Sequence, residues 1–354
     1  MKVGTITFHW ATNYGGVLQA YALQKFLVQQ GVDVQVIDYR PARTIFLQSL
    51  NRIRHGRFEE FVTENELRRF RSAHLRTSKR TYRSNDSLRG IGDAFDIVIC
   101  GSDQIWNESF IWHAERRPTL SYYLDFVPHG CRRIAYAASF GADQLTLPTA
   151  SLVQPSLARF SALSVRENTG REILESMGLD AIVVVDPTLL LDRSSYETLI
   201  GGRAQEGRRG VYSYVLHREQ YAALEVEGCV RRLHHEDPSL RSSTLRPSGM
   251  SEWLRRIRDS EIVVTNSFHG VVMSIIFHTP FISVPVEGSE MNNRLVTLLS
   301  ALGLEGRFVT SADADYIVQV CHEVIDWERV ESSLASLRAD ASAFLHSALT
   351  GEIS

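Results

Sequence analysis

The chain is 354 residues long, with 44% hydrophobic and 22% charged residues, the balance of an ordinary globular protein and not of a disordered or fibrous one. That length exceeds one comfortable hydrophobic core, so two domains are expected. A net charge of −3 and a pI near 6.5 give no general attraction to nucleic acid or to an anionic membrane, so charge must act locally.

The first domain is expected over residues 1–200. Residues 2–8 read directly as a buried strand and carry neither the charged start nor the long apolar core of a signal peptide. A polar, glycine-bearing turn follows at 9–16; Val17, Leu18, Tyr21, Leu23, Phe26 and Leu27 then recur at helical spacing, Gly31 stops the helix, and 32–37 is the next strand. This is a βαβ unit, so its crossover is right-handed and its strands are parallel. Residues 41–90 form an arginine-rich helical insertion, with Phe46, Leu47, Leu50, Ile53, Phe58 and Phe61 at roughly helical spacing. Glu59, Glu60, Glu64 and Glu66 stand among its arginines and favour a solvated helix face over an RNA-binding one. Strands are expected at 95–100, 120–126, 132–138, 162–166 and 181–185, an exit loop at 101–107 and a helix at 167–177.

Residues 201–210 are rich in Gly and charge and read as a linker to a second domain at 201–330. Its βα series runs through strands at 211–216, 261–264 and 281–284, with helices at 252–258, after Gly270 and at 292–302. The region 316–349 is helical, and 331–354 is expected to pack back across the domain boundary. Alternation of strands and helices places both halves among open α/β sheets, whose ligand loops gather at the carboxyl ends of the strands. The expected architecture is two Rossmann-like domains facing one another across a cleft, the default ligand site.

The stretch from Glu261 through Thr265-Asn266-Ser267-Phe268-His269-Gly270 is a β-branched apolar run ending in small polar residues before an apolar helix. It places His269 at a helix N-terminus, where backbone N–H groups and the dipole favour phosphate or carboxylate and where an imidazole can exchange protons. The plainer reading makes Ser267 an N-cap and His269 a turn residue, and the turn alone does not decide between them. Lysine occurs only as Lys2, Lys25 and Lys79, so no lysine can do chemistry in the C-terminal half. Cys100, Cys131, Cys229 and Cys321 are scattered, so neither a metal site nor a disulfide framework is expected, and the protein is read as cytoplasmic and reduced. No apolar run approaches the roughly 20 residues that span a bilayer.

Asn13-Tyr14-Gly15-Gly16, Gly101-Ser102-Asp103-Gln104-Ile105-Trp106, Ser164-Val165-Arg166-Glu167, Asp186-Pro187-Thr188 and the His269 turn, in that order, resemble the polysaccharide pyruvyl transferase family. The resemblance covers residues 2–307 apart from the insertion. It implies a GT-B-like fold and a metal-independent reaction without cofactor, in which a pyruvyl group passes from phosphoenolpyruvate to a sugar of a cell-surface glycan or its lipid-linked precursor. A lipid-linked acceptor would bring the enzyme to a membrane surface. The matching motifs make His269 the acid/base and Arg166 its catalytic partner, whose planar fork, with Ser267, Gly270, Asn266 and N–H groups of that turn, holds the donor and its departing phosphate. Asn13, Tyr14, Gly15, Gly16, Ser102, Asp103 and Gln104 fall on the acceptor side, as does the insertion. In isolation Arg166 reads as an interdomain salt bridge ahead of a ligand contact, an order the resemblance reverses, and Trp106 as packing ahead of sugar stacking. Many relatives carry Arg where this chain has Ser267, and some a lysine further on; here Arg294 is the substitute cation of the 287–294 segment. Asn13-Tyr14-Gly15-Gly16 lacks the G-x-G-x-x-G spacing of a dinucleotide site. A GT-B glycosyltransferase using a nucleotide sugar and a non-catalytic glycan-binding protein are the competing readings.

Overall fold

The computed structural model describes residues 1–201, 207–208, 210–216, 220–244, 248–286, 288–289, 292–309 and 314–352. Most of the expected linker, and Glu287, Glu290 and Met291 ahead of Arg294, lie outside the described residues. The chain divides into two compact units, Met1–Leu190 with Leu337–Ser354, and Leu191–Ser336.

In the first unit, β1 (Lys2–Ile6), α1 (Tyr14–Gln29) and β2 (Asp33–Val36) form the βαβ unit. The insertion follows as α2 (Ala42–Arg54), α3 (Glu59–His74) and the short α4 (Asn85–Leu88). β3 (Ile97–Cys100), α5 (Glu108–His113), β4 (Arg132–Ala138), α6 (Leu147–Leu157), β5 (Ala162–Val165), α7 (Asn168–Ser176), β6 (Ile182–Val183) and α8 (Pro187–Leu190) complete it. The six strands are all parallel in the order β2-β1-β3-β4-β5-β6. Every residue of β3 and β5 is buried, as covering a sheet on both faces requires, which is why these segments read as unbroken apolar runs. Strand order reverses between β1 and β3, so the loops leaving these two strands flank the crevice where such sheets bind ligands.

The expected strand at 120–126 is not one. Ser121–Tyr123 is a single 3-10 turn and Leu124 is left-handed at φ 55°. Its apolar residues serve the core without joining the sheet: Tyr122 and Tyr123 are buried, and Tyr123 stacks on Trp106 with ring centroids 5.5 Å apart. Alternating apolar residues satisfied by side-chain packing alone imitate a strand.

The second unit begins with α9 (Arg193–Ile200), followed by β7 (Val211–Tyr214), α10 (Gln220–Glu236), β8 (Ser242–Thr244) and α11 (Met250–Asp259). It continues with β9 (Ile262–Thr265), α12 (Phe268–Ile276), β10 (Phe281–Ser283), α13 (Asn293–Leu302) and α14 (Ala314–His322). Four parallel strands lie in the order β10-β9-β7-β8, so this sheet reverses between β7 and β9. Val211, Val264, Ile282, Ile317 and Val320 lie in its core cluster. α15 (Trp327–Thr350) starts in the second unit and ends in the first. There Arg338 Nε donates to the Leu189 carbonyl (2.6 Å), Phe344 lies 6.4 Å from the Tyr136 ring, and the Arg132 guanidinium donates to the carbonyls of Ala348 and Leu349. Among the described residues no helix is long and apolar enough to cross a membrane.

Candidate active site

The turn from β9 to α12 lies at the reversal point of the second sheet. Three hydrogen bonds fix it. Thr265 Oγ1 donates to the Tyr214 carbonyl at the end of β7 (2.6 Å), the Leu216 N–H donates to Asn266 Oδ1 (2.9 Å), and the Ser267 N–H donates to Thr265 Oγ1 (3.0 Å). Ser267 is the N-cap, its Oγ accepting from the Gly270 N–H at 3.3 Å. His269 therefore stands in the first turn of α12, which begins two residues before Gly270 and not after it; the residue is 4% exposed and its ring lies edge-on to Phe268 at 5.2 Å. A Cβ on Gly270 would meet Thr265 Oγ1 at 2.8 Å, so a close approach inside the turn itself requires this glycine.

This geometry corrects part of the sequence reading. The N–H groups of Ser267 and Gly270, expected to face an anion, are bonded within the turn, because the residues that start the helix use the same donors a ligand would need. Asn266 Oδ1 likewise ties the two strand ends together. Arg294 does join the turn: from the first turn of α13 its guanidinium lies over the Phe268 ring, 5.7 Å from the centroid, and the residue is 8% exposed.

In the first unit the loops leaving β3, β5 and β6 converge on Arg166. Its Nη1 donates to Asp186 Oδ2 (2.9 Å) and Ser102 Oγ (3.4 Å), while Nε and Nη2 face Glu167 and Asp103 at 3.9 and 4.0 Å. Ser102 Oγ donates to the same Asp186 oxygen (2.7 Å), and the other Asp186 oxygen accepts from the Thr188 N–H (3.0 Å) and hydroxyl (2.6 Å). Arg166 is thus enclosed by three carboxylates and its side chain is 2% exposed. The salt bridge considered for it is real, and its partners Asp186, Glu167 and Asp103 all belong to its own unit.

The acceptor-side residues separate into two groups. Asn13 caps α1 through the Gly15 N–H (2.9 Å), Tyr14 is buried in the core and not open for stacking, and Ser102 is fully buried on Asp186. A Cβ on Gly16 would meet Asp103 Oδ2 at 3.2 Å and the Phe8 carbonyl at 3.4 Å, so the backbone there approaches its own loop, not a ligand. Asp103 and Gln104 are the partly exposed pair. Asp103 is left-handed at φ 81°, with Oδ1 accepting from the Gln104 N–H (2.9 Å), and Gln104 lines an open groove of about 920 Å³ with Phe8, Leu47, Leu50, Ile53 and Phe110. Trp106 is fully buried and donates to the Tyr122 carbonyl (3.0 Å).

One buried pair at the same end of this sheet escaped sequence reading. His9 Nε2 contacts Asp38 Oδ1 at 2.9 Å and Nδ1 contacts the Thr7 carbonyl at 3.1 Å. Thr81 and Arg40 donate to Asp38 at 2.6 Å each. Burial holds the His9 imidazole below its ordinary value against the pull of Asp38. Burial raises the Asp38 carboxyl, but hydrogen bonds from His9, Thr81 and Arg40 outweigh it and hold the group well below the carboxylate range. The signal lay in the register: Lys2 pairs with Asp33, so residues just past the ends of β1 and β2 stand side by side. Among the described residues no group of three or more His, Cys, Asp or Glu side chains is disposed to hold a metal ion.

Solved structures with similar coordinates share this two-sheet α/β fold. UDP-N-acetylglucosamine 2-epimerase from Rickettsia bellii matches with a TM-score of 0.55 at 10% identity, over 98% of this chain and 96% of its own. The UDP-GlcNAc 2-epimerase from Neisseria meningitidis, bound to UDP-GlcNAc, matches at 0.53 and 12% over 99% and 100%. The spinosyn forosaminyltransferase SpnP matches at 0.51 and 13% over 97% and 95%. At such identities the likeness shows the fold alone, which is of the GT-B type. No curated protein matches the chain in sequence. The family model for polysaccharide pyruvyl transferase matches residues 13–288, a span that begins at the Asn13 cap of α1 and includes the Ser102, Arg166, Asp186 and His269 motifs. By that match the chain belongs to the polysaccharide pyruvyl transferase family.

Proposed function

We propose that this protein transfers a pyruvyl group from phosphoenolpyruvate to two hydroxyls of a sugar in a cell-surface glycan or its lipid-linked precursor, forming a cyclic ketal and releasing phosphate. Family membership over residues 13–288 carries the reading, because it implies a donor and a glycan acceptor. Two C–O bonds form at the central carbon of the donor and its bond to the phosphate oxygen breaks. Of the two hydroxyl protons, one ends on the methylene carbon, which becomes the methyl group, and the other leaves with phosphate. An imidazole can deliver the first and accept from a hydroxyl near neutral pH, and His269 is the titratable group in the first turn of α12. Arg294, beside that turn, supplies the cation for the donor.

Arg166 serves the same reaction from the first unit. Its contacts with Asp186, Ser102, Glu167 and Asp103 favour a part in holding Asp103 and Gln104 toward the acceptor. A cytoplasmic enzyme is meant, reaching a membrane through a lipid-linked acceptor. The test measures phosphate release from phosphoenolpyruvate, and nucleotide release from UDP-sugars, each with glycan-lipid acceptors. Acceptor-dependent phosphate release that His269→Gln abolishes is expected. Nucleotide release in its place, or full turnover by a folded His269→Gln protein, overturns the reading.

A further inference from the structure

α2 is turned inside out. Its hydrogen bonds and ion pair to the rest of the unit are polar contacts at its ends: Thr44 Oγ1 donates to the Ala114 carbonyl (3.1 Å), Arg43 donates to the Glu115 carbonyl (3.2 Å), and Arg52 pairs with Glu60 (3.1 Å). None of its residues is buried. Phe46, Leu47, Leu50 and Ile53, which recur at helical spacing along one side, are 62, 45, 46 and 57% exposed, and Phe58 and Val62 extend the apolar surface at 64 and 50%. Apolar side chains of this size left outward on consecutive helices mark a surface that is covered in use.

The charge beside this surface is mainly positive. Residues 42–62 include Arg43, Arg52, Arg54 and Arg57 against Glu59 and Glu60, and Glu60 is paired with Arg52 and Arg57, although the whole chain is net acidic at −3. Arg43, Arg54 and Arg57 are exposed. An apolar face edged by exposed arginines matches an anionic lipid surface, with the side chains in the acyl boundary and the guanidinium groups at phosphates. Leu47, Leu50 and Ile53 also line the groove with Gln104, but Phe46, Phe58 and Val62 stand outside its lining, so the apolar surface is a face and not a slot for a single chain. We propose that α2 and the start of α3 dock this protein on an anionic lipid bilayer, independently of any acceptor in it. This goes beyond the pyruvyl-transfer reading, and its test needs no turnover.

The full chain is floated with phosphatidylcholine vesicles with and without phosphatidylglycerol. Binding is expected with phosphatidylglycerol, and high salt should weaken it. Phe46→Glu/Leu50→Glu should lower binding more than tenfold, and Arg43→Gln/Arg54→Gln roughly fivefold per cation removed, the equivalent of about 1 kcal/mol each. Near-ultraviolet circular dichroism confirms that each variant is folded, and the arginine pair keeps the test open if the glutamates disturb the fold. The proposal is overturned if the wild-type chain ignores anionic vesicles, or if both folded double variants bind as the wild type does. It is equally overturned if vesicles bind only when doped with an isoprenyl phosphate, or if the face proves to join two copies of the chain, seen as a dimer that Phe46→Glu/Leu50→Glu breaks without any vesicle binding to lose.

Discussion

The two sheets solve the same problem differently at the carboxyl ends of their strands. In the first unit the loops meet on Arg166, buried among Asp186, Glu167 and Asp103, so carboxylates outnumber the cation they surround. In the second, the turn before α12 holds itself together through the uncharged Thr265, Asn266 and Ser267, and the nearby charge is the Arg294 guanidinium over Phe268. A carboxylate-rich loop set suits sugar hydroxyls, which it can accept from; an uncharged helix start with a cation beside it suits a compact anion. Under the proposed pyruvyl transfer, the contrast favours a donor in the second unit and a task for Arg166 different from the anion clamp its residue type first suggests.

That contrast can be broken at several points. The largest effect is expected from His269→Gln, a loss of about 10²–10⁴-fold in turnover with the circular dichroism of the wild type, read as phosphate release. Arg166→Ala removes the cation from buried Asp186 and Glu167 and should destabilise the protein by about 3–5 kcal/mol in urea unfolding, so an activity loss in this variant is not interpretable by itself. Were Arg166→Ala as stable as the wild type, the first unit would not be organised by this residue. Glycines at the two turns should also differ. Gly270→Ala, whose Cβ meets Thr265 Oγ1 at 2.8 Å, is expected to lose about 1–3 kcal/mol, and Gly16→Ala, at 3.2 Å from Asp103 Oδ2, less. Arg294→Met should raise the KM for phosphoenolpyruvate about tenfold with little change in kcat, the size of one charged contact. An unchanged KM would return the donor's charge to some other group.

The smallest effect is in pH. His9 and Asp38 both have folded pKa values below their ordinary ones, so as pH falls the unfolded chain takes up protons first. Their contribution is whole above about pH 6.5 and is lost as pH falls, first through the imidazole range and then below about pH 4 through the carboxylate's. Thermal midpoints of Asp38→Asn measured across this range should show a weaker fall below about pH 4 than the wild type and keep the fall through the imidazole range.

The His269 turn was legible because its signals are local: a continuous β-branched strand gives way within six residues to an apolar helix, with a capping residue between. The Arg166 cluster was not, since its members come from loops 20, 64 and 84 residues apart and only the sheet order brings them together. Residues 120–126 misled for the opposite reason. Leu120, Tyr122, Leu124 and Phe126 alternate as a strand's apolar face would, and a 3-10 turn buries Tyr122 and Tyr123 equally well. Asn13, Tyr14 and Gly16 occupy the positions a binding loop would use, yet what they bind is the protein: a cap, a core site and the Asp103 loop.

α15 bears on how this chain is made. The first unit is encoded at both ends: Arg132 reaches the carbonyls of Ala348 and Leu349, Tyr136 meets Phe344, and Leu189 accepts from Arg338. A ribosome delivers residues 1–190 long before those partners, and all of the second unit emerges in between. The nascent N-terminal half must wait, with the strand-β4 side of its sheet uncovered, until residues 337–349 leave the exit tunnel, so the unit synthesised first is the one finished last.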